Sequence, residues 1–354
     1  MFIELLITVP VLGRDFEYTY EGQTLTYTVL DHQARTCQTK EGSEKAPAHY
    51  ITGDLIIPAV AKDGEIEYTV ISIGDYSFAD CKEMTSVTIP SSVISLGEYA
   101  FFRGWALSEM NISGSVTTIG KACFAGCSFS SVTIPNSVTT IEMSAFFQCP
   151  LLTSVTIPNS ITEIKKLTFY QCQRFVSVTI PNSVVSIGES AFERCTGLLS
   201  LTIPESTKTI AYRAFKDCRN LERLSIPSSL TDIGDEAFFD CRALTEVEYS
   251  ADIPIYGSTN VFDCYKKGPY IIGTLYVKPE ALERAKNTLP WSLFRYKRTK
   301  DFSGIENVAT DDDVSMPISV YNMNGIYVGE NTDNLAPGIY IVRQGSNVRK
   351  ISVQ

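Results

Sequence analysis

Cysteine is the residue type in this chain best suited to chemistry. There are ten, and eight share one slot of a spaced pattern: Cys81, Cys127, Cys149, Cys172, Cys195, Cys218, Cys241 and Cys264. Thiols can pair as disulfides, ligate metals or attack electrophiles. The spacing argues against pairing. The same slot in successive coils recurs at about 4.8 Å with parallel Cβ vectors, beyond the roughly 3.5–4.5 Å between disulfide-bonded Cβ atoms. The run from Cys127 to Cys264 has seven members and cannot pair completely. Free cysteine packs as a small, buried hydrophobe, so the expectation is an inert ladder. Cys123 falls in a slot that is alanine elsewhere, which makes Cys123 and Cys127 two packing positions and not half a metal site. Cys37 lies in a polar N-terminal segment and is open to exposure.

Other chemistries are thinly supplied. Only His32 and His49 are present, which removes most Ser-His-Asp, Cys-His and histidine–metal schemes. Asp311, Asp312 and Asp313 offer carboxylates to calcium, but no glycine or downstream glutamate has EF-hand spacing, and a solvated linker is the better reading. P-loop, GxGxxG, HExxH and GxSxG signatures are missing. A hydrolase would need two facing carboxylates in a deep pocket, and no pair stands out among the many exposed acids. The expectation is therefore no enzyme, no catalytic residue, no metal and no cofactor. A net charge of −10 and a pI near 4.9, without a Lys/Arg cluster, give no footprint for nucleic acid. No run of 18 apolar residues exists to span a bilayer.

The elements that carry these residues repeat. SVTIPNSVTTIEMSAFFQC (131–149), SVTIPNSITEIKKLTFYQC (154–172) and SVTIPNSVVSIGESAFERC (177–195) are near copies. Pro135, Pro158, Pro181, Pro204 and Pro227 recur every 23 residues. An aromatic slot runs through Phe78, Phe101, Phe124, Phe146, Phe169, Phe192, Phe215 and Phe238 to Val261, with one step of 22 between Phe124 and Phe146. The deletion sits in a connecting turn, where Phe129 takes the slot that Leu152 fills one unit later. Leu152, Val155 and Ile157 have the L-x-x-L-x-L spacing of a leucine-rich repeat. Val155 and Ile157 point inward and Ser154 and Thr156 outward. Pro158 lacks an amide donor and stops the strand. Ile161 and Ile164 form a second inward pair, and a short helical or 3-10 turn returns Phe169 and Cys172 to the core.

One such unit cannot bury its own apolar face, so about nine must stack. The expected fold is a leucine-rich-repeat solenoid, mainly β, with one parallel strand ribbon and a small C-terminal β module. The expected divisions are an N-terminal segment and β cap (1–54), the solenoid (55–264), a C-terminal cap (265–303), and a linker with a small β tail (304–354). Alternation around Glu21-Gly22 reads as a hairpin, as does an insertion around Lys62-Asp63-Gly64. Residues 1–13 are apolar but carry Glu4 and no basic start; a signal remnant is favoured over a first strand. Packing is the stronger reading for Trp105 and Trp291, with an exposed anchor as the alternative.

Outward strand residues make two hydroxyl columns: Ser131, Ser154, Ser177 and Ser200, beside Thr133, Thr156, Thr179 and Thr202. Each alone reads as strand propensity and solvation; together they are the candidate ligand-binding face.

The unit C-x-x-L-x-x-V-T-I-P-x-S-V-x-x-I-G-x-x-A-F-x-x-C resembles the BspA-like leucine-rich repeat family of bacterial surface proteins. The resemblance covers about 55–264. YTVISIGDYSFADC (68–81) and GTLYVKPEALERAKNTLPWSLF (273–294) resemble its usual first and terminal units. VYNMNGIYVG (320–329) with LAPGIYIVRQGSNVRKISV (335–353) resembles a shortened C-terminal sorting domain of the type IX secretion route. These resemblances imply a secreted or surface-attached bacterial protein that binds host matrix or bacterial surface proteins in adhesion. Carbohydrate capture is the alternative, although the repeat face offers Ser and Thr in place of Trp and Tyr.

Overall fold

A computed structural model describes residues 13–43, 49–252, 255–263 and 271–302, together with the strands 318–322, 327–329, 338–344 and 347–353. Residues 1–12 of the apolar N-terminus, Cys264, Asp311–Asp313, and Asn324 and Gly325 of the sorting-like tail lie outside the described residues.

Each unit winds one coil of a solenoid, because its apolar residues recur in the same slots and only the neighbouring coils can cover them. In the coil 154–172, Val155 and Ile157 are buried and Thr156 is exposed. The strand Ser154–Thr156 ends before Pro158. The strand ribbon is not continuous. Thr52–Ile56, Glu83–Thr88 and Glu109–Asn111 form one parallel sheet, and Ser131–Thr133 with Ser154–Thr156 another. Ser200–Thr202 begins a third, which continues through Arg223–Ile226 and Glu246–Tyr249. The first break coincides with the 22-residue step, whose missing residue shifts the entry into Ser131–Thr133. At the second, one isolated bridge joins Thr156 to Thr179. Ile164 and its equivalents stand on a further parallel ribbon of two-residue strands, such as Glu163–Ile164 and Ser186–Ile187. Two residues per coil are too few to show a strand period.

The helical or 3-10 turns expected inside the repeats are replaced by a chain of hydrogen-bonded turns. In each coil from Phe78 to Phe238 the residues two before and two after the core Phe are left-handed, as with Leu167 and Gln171 (φ 58° each) around Phe169. This geometry turns successive N–H groups along the solenoid axis. Leu167, Phe169 and Gln171 donate to Glu189, Ala191 and Glu193 of the next coil. The same triple recurs for every coil from Tyr76 to Asp217 at 2.7–3.1 Å, and Phe238 and Asp240 extend it to Val261 and Asp263.

Inside this ladder the aromatic slot forms one column of stacked rings. Eight successive steps from Phe78 to Phe262 have centroid separations of 5.1–5.6 Å. The ninth ring is Phe262, not Val261: Val261 accepts the Phe238 N–H, which alanine does in most earlier coils, so the last step has 24 residues. Phe129 is buried edge-on to Phe124 and Phe146, in the slot that Leu152 takes next.

Both ends of the column are covered. Asp15–Tyr20 and Gln23–Asp31 form the hairpin around Glu21-Gly22, both left-handed, and Thr36–Thr39 joins that sheet to Ile66–Ile73. Val60–Asp63 pairs antiparallel with Ile66–Ile73 as the inserted hairpin. His49 stacks on Phe78 at 5.1 Å. At the far end, strands Ile271–Val277 and Phe294–Thr299 extend the third sheet, with the helix Leu282–Asn287 between them. The tail strands Ile318–Asn322, Tyr327–Gly329, Gly338–Gln344 and Asn347–Val353 make an antiparallel sheet.

Candidate binding surfaces

The two hydroxyl columns follow from strand alternation: with Val and Leu buried on one side, Ser and Thr face solvent. Ser131, Thr133, Thr156, Ser177, Thr179, Ser200 and Thr202 are exposed, and Ser154 is half-buried. Ser131 lies in register with Ser154, Thr133 with Thr156, and Thr156 with Thr179. Ser177 and Thr179 fall at the break before Ser200–Thr202, so the eight residues form two adjoining patches.

The columns also run further than the hydroxyls suggest, into charged rungs. Ser200 and Thr202 pair with Arg223 and Ser225, and these with Glu246 and Glu248. Arg223 is 3.4 Å from Glu246, and Lys300 is 2.6 Å from Glu248. At the other end Asp54 stands in register with Ser86 and Glu109. Ser86 and Thr85 hydroxyls donate to Asp54 and hold its carboxyl below its ordinary range. The slot positions alone could have found these residues, had charged side chains been carried along the same register.

The cysteine slot has a role beyond packing. All nine described cysteines are free and buried, including Cys37, whose polar sequence context had suggested exposure. Its side chain packs beneath the hairpin sheet with Tyr68 and Val29, because Thr36–Thr39 alternates and Cys37 takes the inward side. Six ladder thiols point along the axis at the main-chain oxygen of the Phe in the preceding coil. Cys172 Sγ donates to Phe146 O at 3.1 Å and Cys195 Sγ to Phe169 O at 3.1 Å. The others lie at 3.2–3.4 Å. Burial pushes the Cys37 and Cys127 thiols up to about 12, disfavouring the reactive thiolate.

The two tryptophans separate. Trp291 is fully buried, stacked on Tyr249 at 4.3 Å, and its Nε1–H donates to Ile255 O. Trp105 does not pack: it is 56% exposed, with the Lys82 ammonium 4.8 Å from its ring centre. The turn that carries it begins at Gly104, where the other coils have the cysteine, and Trp105 N–H closes back on Arg103 O.

The turn face is studded with inter-coil ion pairs. Lys165 reaches Glu142, while Arg213 and Lys216 share Glu236. Asp217 and Asp240 are buried beneath Arg219 and Arg242. Burial opposes ionisation of Asp240, but Arg242 and Arg219 hold its carboxyl below its ordinary range.

The family model for the BspA type leucine rich repeat region matches in six copies, over residues 61–175 and 162–271. This is more than half of the chain. The chain belongs to the BspA-type leucine-rich repeat family. Proteins of this family are typically secreted or surface-exposed in bacteria, are generally not enzymes, and leucine-rich repeat proteins generally bind other proteins. No curated protein matches the chain. Among solved structures, a leucine-rich repeat protein from Bacteroides ovatus is 23% identical, covering 80% of this chain and 90% of its own, with a TM-score of 0.42. The leucine-rich repeat protein of T. pallidum is 24% identical, covering 62% and 87%, with a TM-score of 0.42. The pneumococcal vaccine antigen PcpA is 13% identical, covering 80% and 97%, with a TM-score of 0.37. Among the described residues of this BspA-type chain, no helix is long and apolar enough to cross a membrane.

Proposed function

We propose that this BspA-type solenoid is a secreted or surface-attached bacterial adhesion module that recognises a protein on a host matrix or on another bacterium. The observation that carries the proposal is the exposed hydroxyl face from Ser131 to Thr202, built on main chain that is already ordered. A surface preorganised in this way loses little entropy on binding, and many weak contacts can sum along it. The acidic chain favours partners with basic patches, and such binding weakens as salt rises. The four-stranded tail is proposed as the export signal of the type IX route, on the strength of its sequence resemblance.

The test is a binding screen of the full chain against immobilised matrix proteins, bacterial surface proteins and glycans at physiological salt. The expected result is a saturable protein ligand whose binding is lost in the Thr156→Lys, Thr179→Lys double variant. Binding to glycans alone would replace adhesion with carbohydrate capture. A protein ligand that ignores the double variant would move the site off the hydroxyl face.

A further inference from the structure

The outer strand ribbon must stop at each end of the solenoid, and its two terminal edges are treated differently. At the N-terminal end a side chain closes the edge of Thr52–Ile56. The Gln23 amide donates through Nε2 to Asp54 O at 2.5 Å and accepts the Ile56 N–H through Oε1 at 3.4 Å, as a neighbouring strand would. At the C-terminal end Phe294–Thr299 is the last strand of its sheet, paired only with Ile271–Val277.

Successive main-chain groups of a strand point to alternate sides. Lys300 N–H, just past the strand, donates to Val277 O, so the even-numbered residues face the sheet. Arg295, Lys297 and Thr299 therefore turn their N–H and C=O groups outward. Among the described residues nothing hydrogen-bonds to those groups, and the tail strands pair only with one another. Arg295 and Tyr296 are exposed, and no counterpart of Gln23 lies against them. The edge is six residues long, about 20 Å, and is open to strand addition.

The side chains on this edge select the occupant. Arg295, Lys297, Arg298 and Lys300 stand together without an acid among them, a local excess that the chain's net charge of −10 conceals. Lys297 Nζ is committed to Ser292 O and Phe294 O, and Lys300 to Glu248. Arg295 and Arg298 have no acidic partner among the described residues; Arg295 has only the Tyr296 ring, 5.5 Å from its guanidinium. Two such cations are too few for a phosphate backbone, but they suit carboxylates spaced three residues apart on a neighbouring strand. A second copy is disfavoured, because antiparallel pairing of this strand with itself sets Arg295 against Arg298.

We infer that the free edge of Phe294–Thr299 captures an extended acidic segment of a partner protein by strand addition, with carboxylates three residues apart pairing with Arg295 and Arg298. The inference rests on the protein-recognition reading above, and assigns it a second contact at the end of the sheet, away from the hydroxyl face.

The test adds the capped peptide Thr-Val-Glu-Val-Thr-Glu-Val-Thr to the full chain and follows amide hydrogen exchange and calorimetry. The Arg295, Lys297 and Thr299 amides should exchange freely in the free chain and become protected as the peptide saturates. Those of Tyr296 and Arg298 should be protected throughout. Of two peptides N-methylated at alternate residues, one should bind about tenfold more weakly and the other unchanged, since only one set of amides faces the strand. Thr299→Pro removes one outward N–H at an edge position and should weaken binding about tenfold. The Arg295→Glu, Arg298→Glu double variant leaves the main chain intact and should prefer the same peptide with lysine for glutamate. The inference is overturned if the three amides are already protected in the free chain, or stay unprotected with peptide. It is equally overturned if both methylated peptides bind alike, or if the charge-reversed chain still prefers the acidic peptide. The Thr156→Lys, Thr179→Lys variant should bind this peptide unchanged, which keeps the outcome separate from the adhesion reading.

Discussion

The turn face and the strand face of this solenoid are built from the same repeats, yet only one is continuous. Along the turn face, triples of main-chain hydrogen bonds pass from coil to coil between Tyr76 and Asp217 without a gap. On the strand face the outer ribbon is broken after Glu109–Asn111 and again around Thr179. The difference lies in what each can tolerate. The turn ladder leans on the buried Phe column and on thiols that donate to the same Phe carbonyls, so a shift there would disturb three interactions at once. The outer ribbon is short and one-sided, and a deleted residue in the loop before it is absorbed locally. The spine of the molecule is therefore the turn side, which leaves the strand side free to vary.

The largest expected effect breaks the spine. Phe169→Ala should cost about 3–5 kcal/mol as a large-to-small core substitution, against less than ~0.5 kcal/mol for the exposed Thr156→Ala. Denaturant melts of the two variants decide this, and equal costs would refute the comparison. The next concerns the end of the column. His49 accepts the Thr26 N–H through Nε2 and faces Ser77 O through Nδ1, and burial lowers its pKa below 6.5. The folded state thus disfavours the extra proton. Its contribution is complete above about pH 6.5 and declines as pH falls toward the folded value. A melting temperature that drops on acidification, with a smaller drop in His49→Phe, is the expected signature.

Removing one thiol donor is smaller again. Cys172→Ala should cost about 1 kcal/mol, with Cys172→Ser recovering part of it, because the Phe146 carbonyl loses a donor in the first and keeps one in the second. The same burial predicts that thiol reagents label the native protein slowly and the denatured protein at once. Rapid labelling of eight or more native cysteines would contradict the ladder. The smallest effect is a gain. Ser144 is left-handed at φ 60°, and Ser144→Gly should stabilise by about 0.5 kcal/mol, since relief of the ~1–2 kcal/mol left-handed cost outweighs the added unfolded-state entropy. Hydrogen exchange sharpens the comparison amide by amide: Phe146 and Phe169 N–H should exchange far more slowly than those of 176–179.

Several features were legible because they are local or periodic. Glu21-Gly22 announces a hairpin through its turn residues, and Phe129 is placed by counting from Cys127. Others were hidden for identifiable reasons. Nothing in Tyr99, Leu167 or Arg213 signals a left-handed backbone; their strain persists because each N–H finds a carbonyl one coil away. The Cys thiols looked purely apolar because their acceptors lie 25 or 26 residues upstream. Val261 was assigned to the aromatic slot by an even count, and the extra residue of the last coil moves that slot to Phe262.

The sequence by itself determined the solenoid, its period and its buried slots, since stacked copies of one apolar pattern can be covered only by one another. Only the tertiary structure decided where the ribbons break, which way the thiols point, and that Trp105 is exposed. Those outcomes depend on what the neighbouring coil supplies or lacks at the same height, and that information is carried by packing between coils, not by any one repeat.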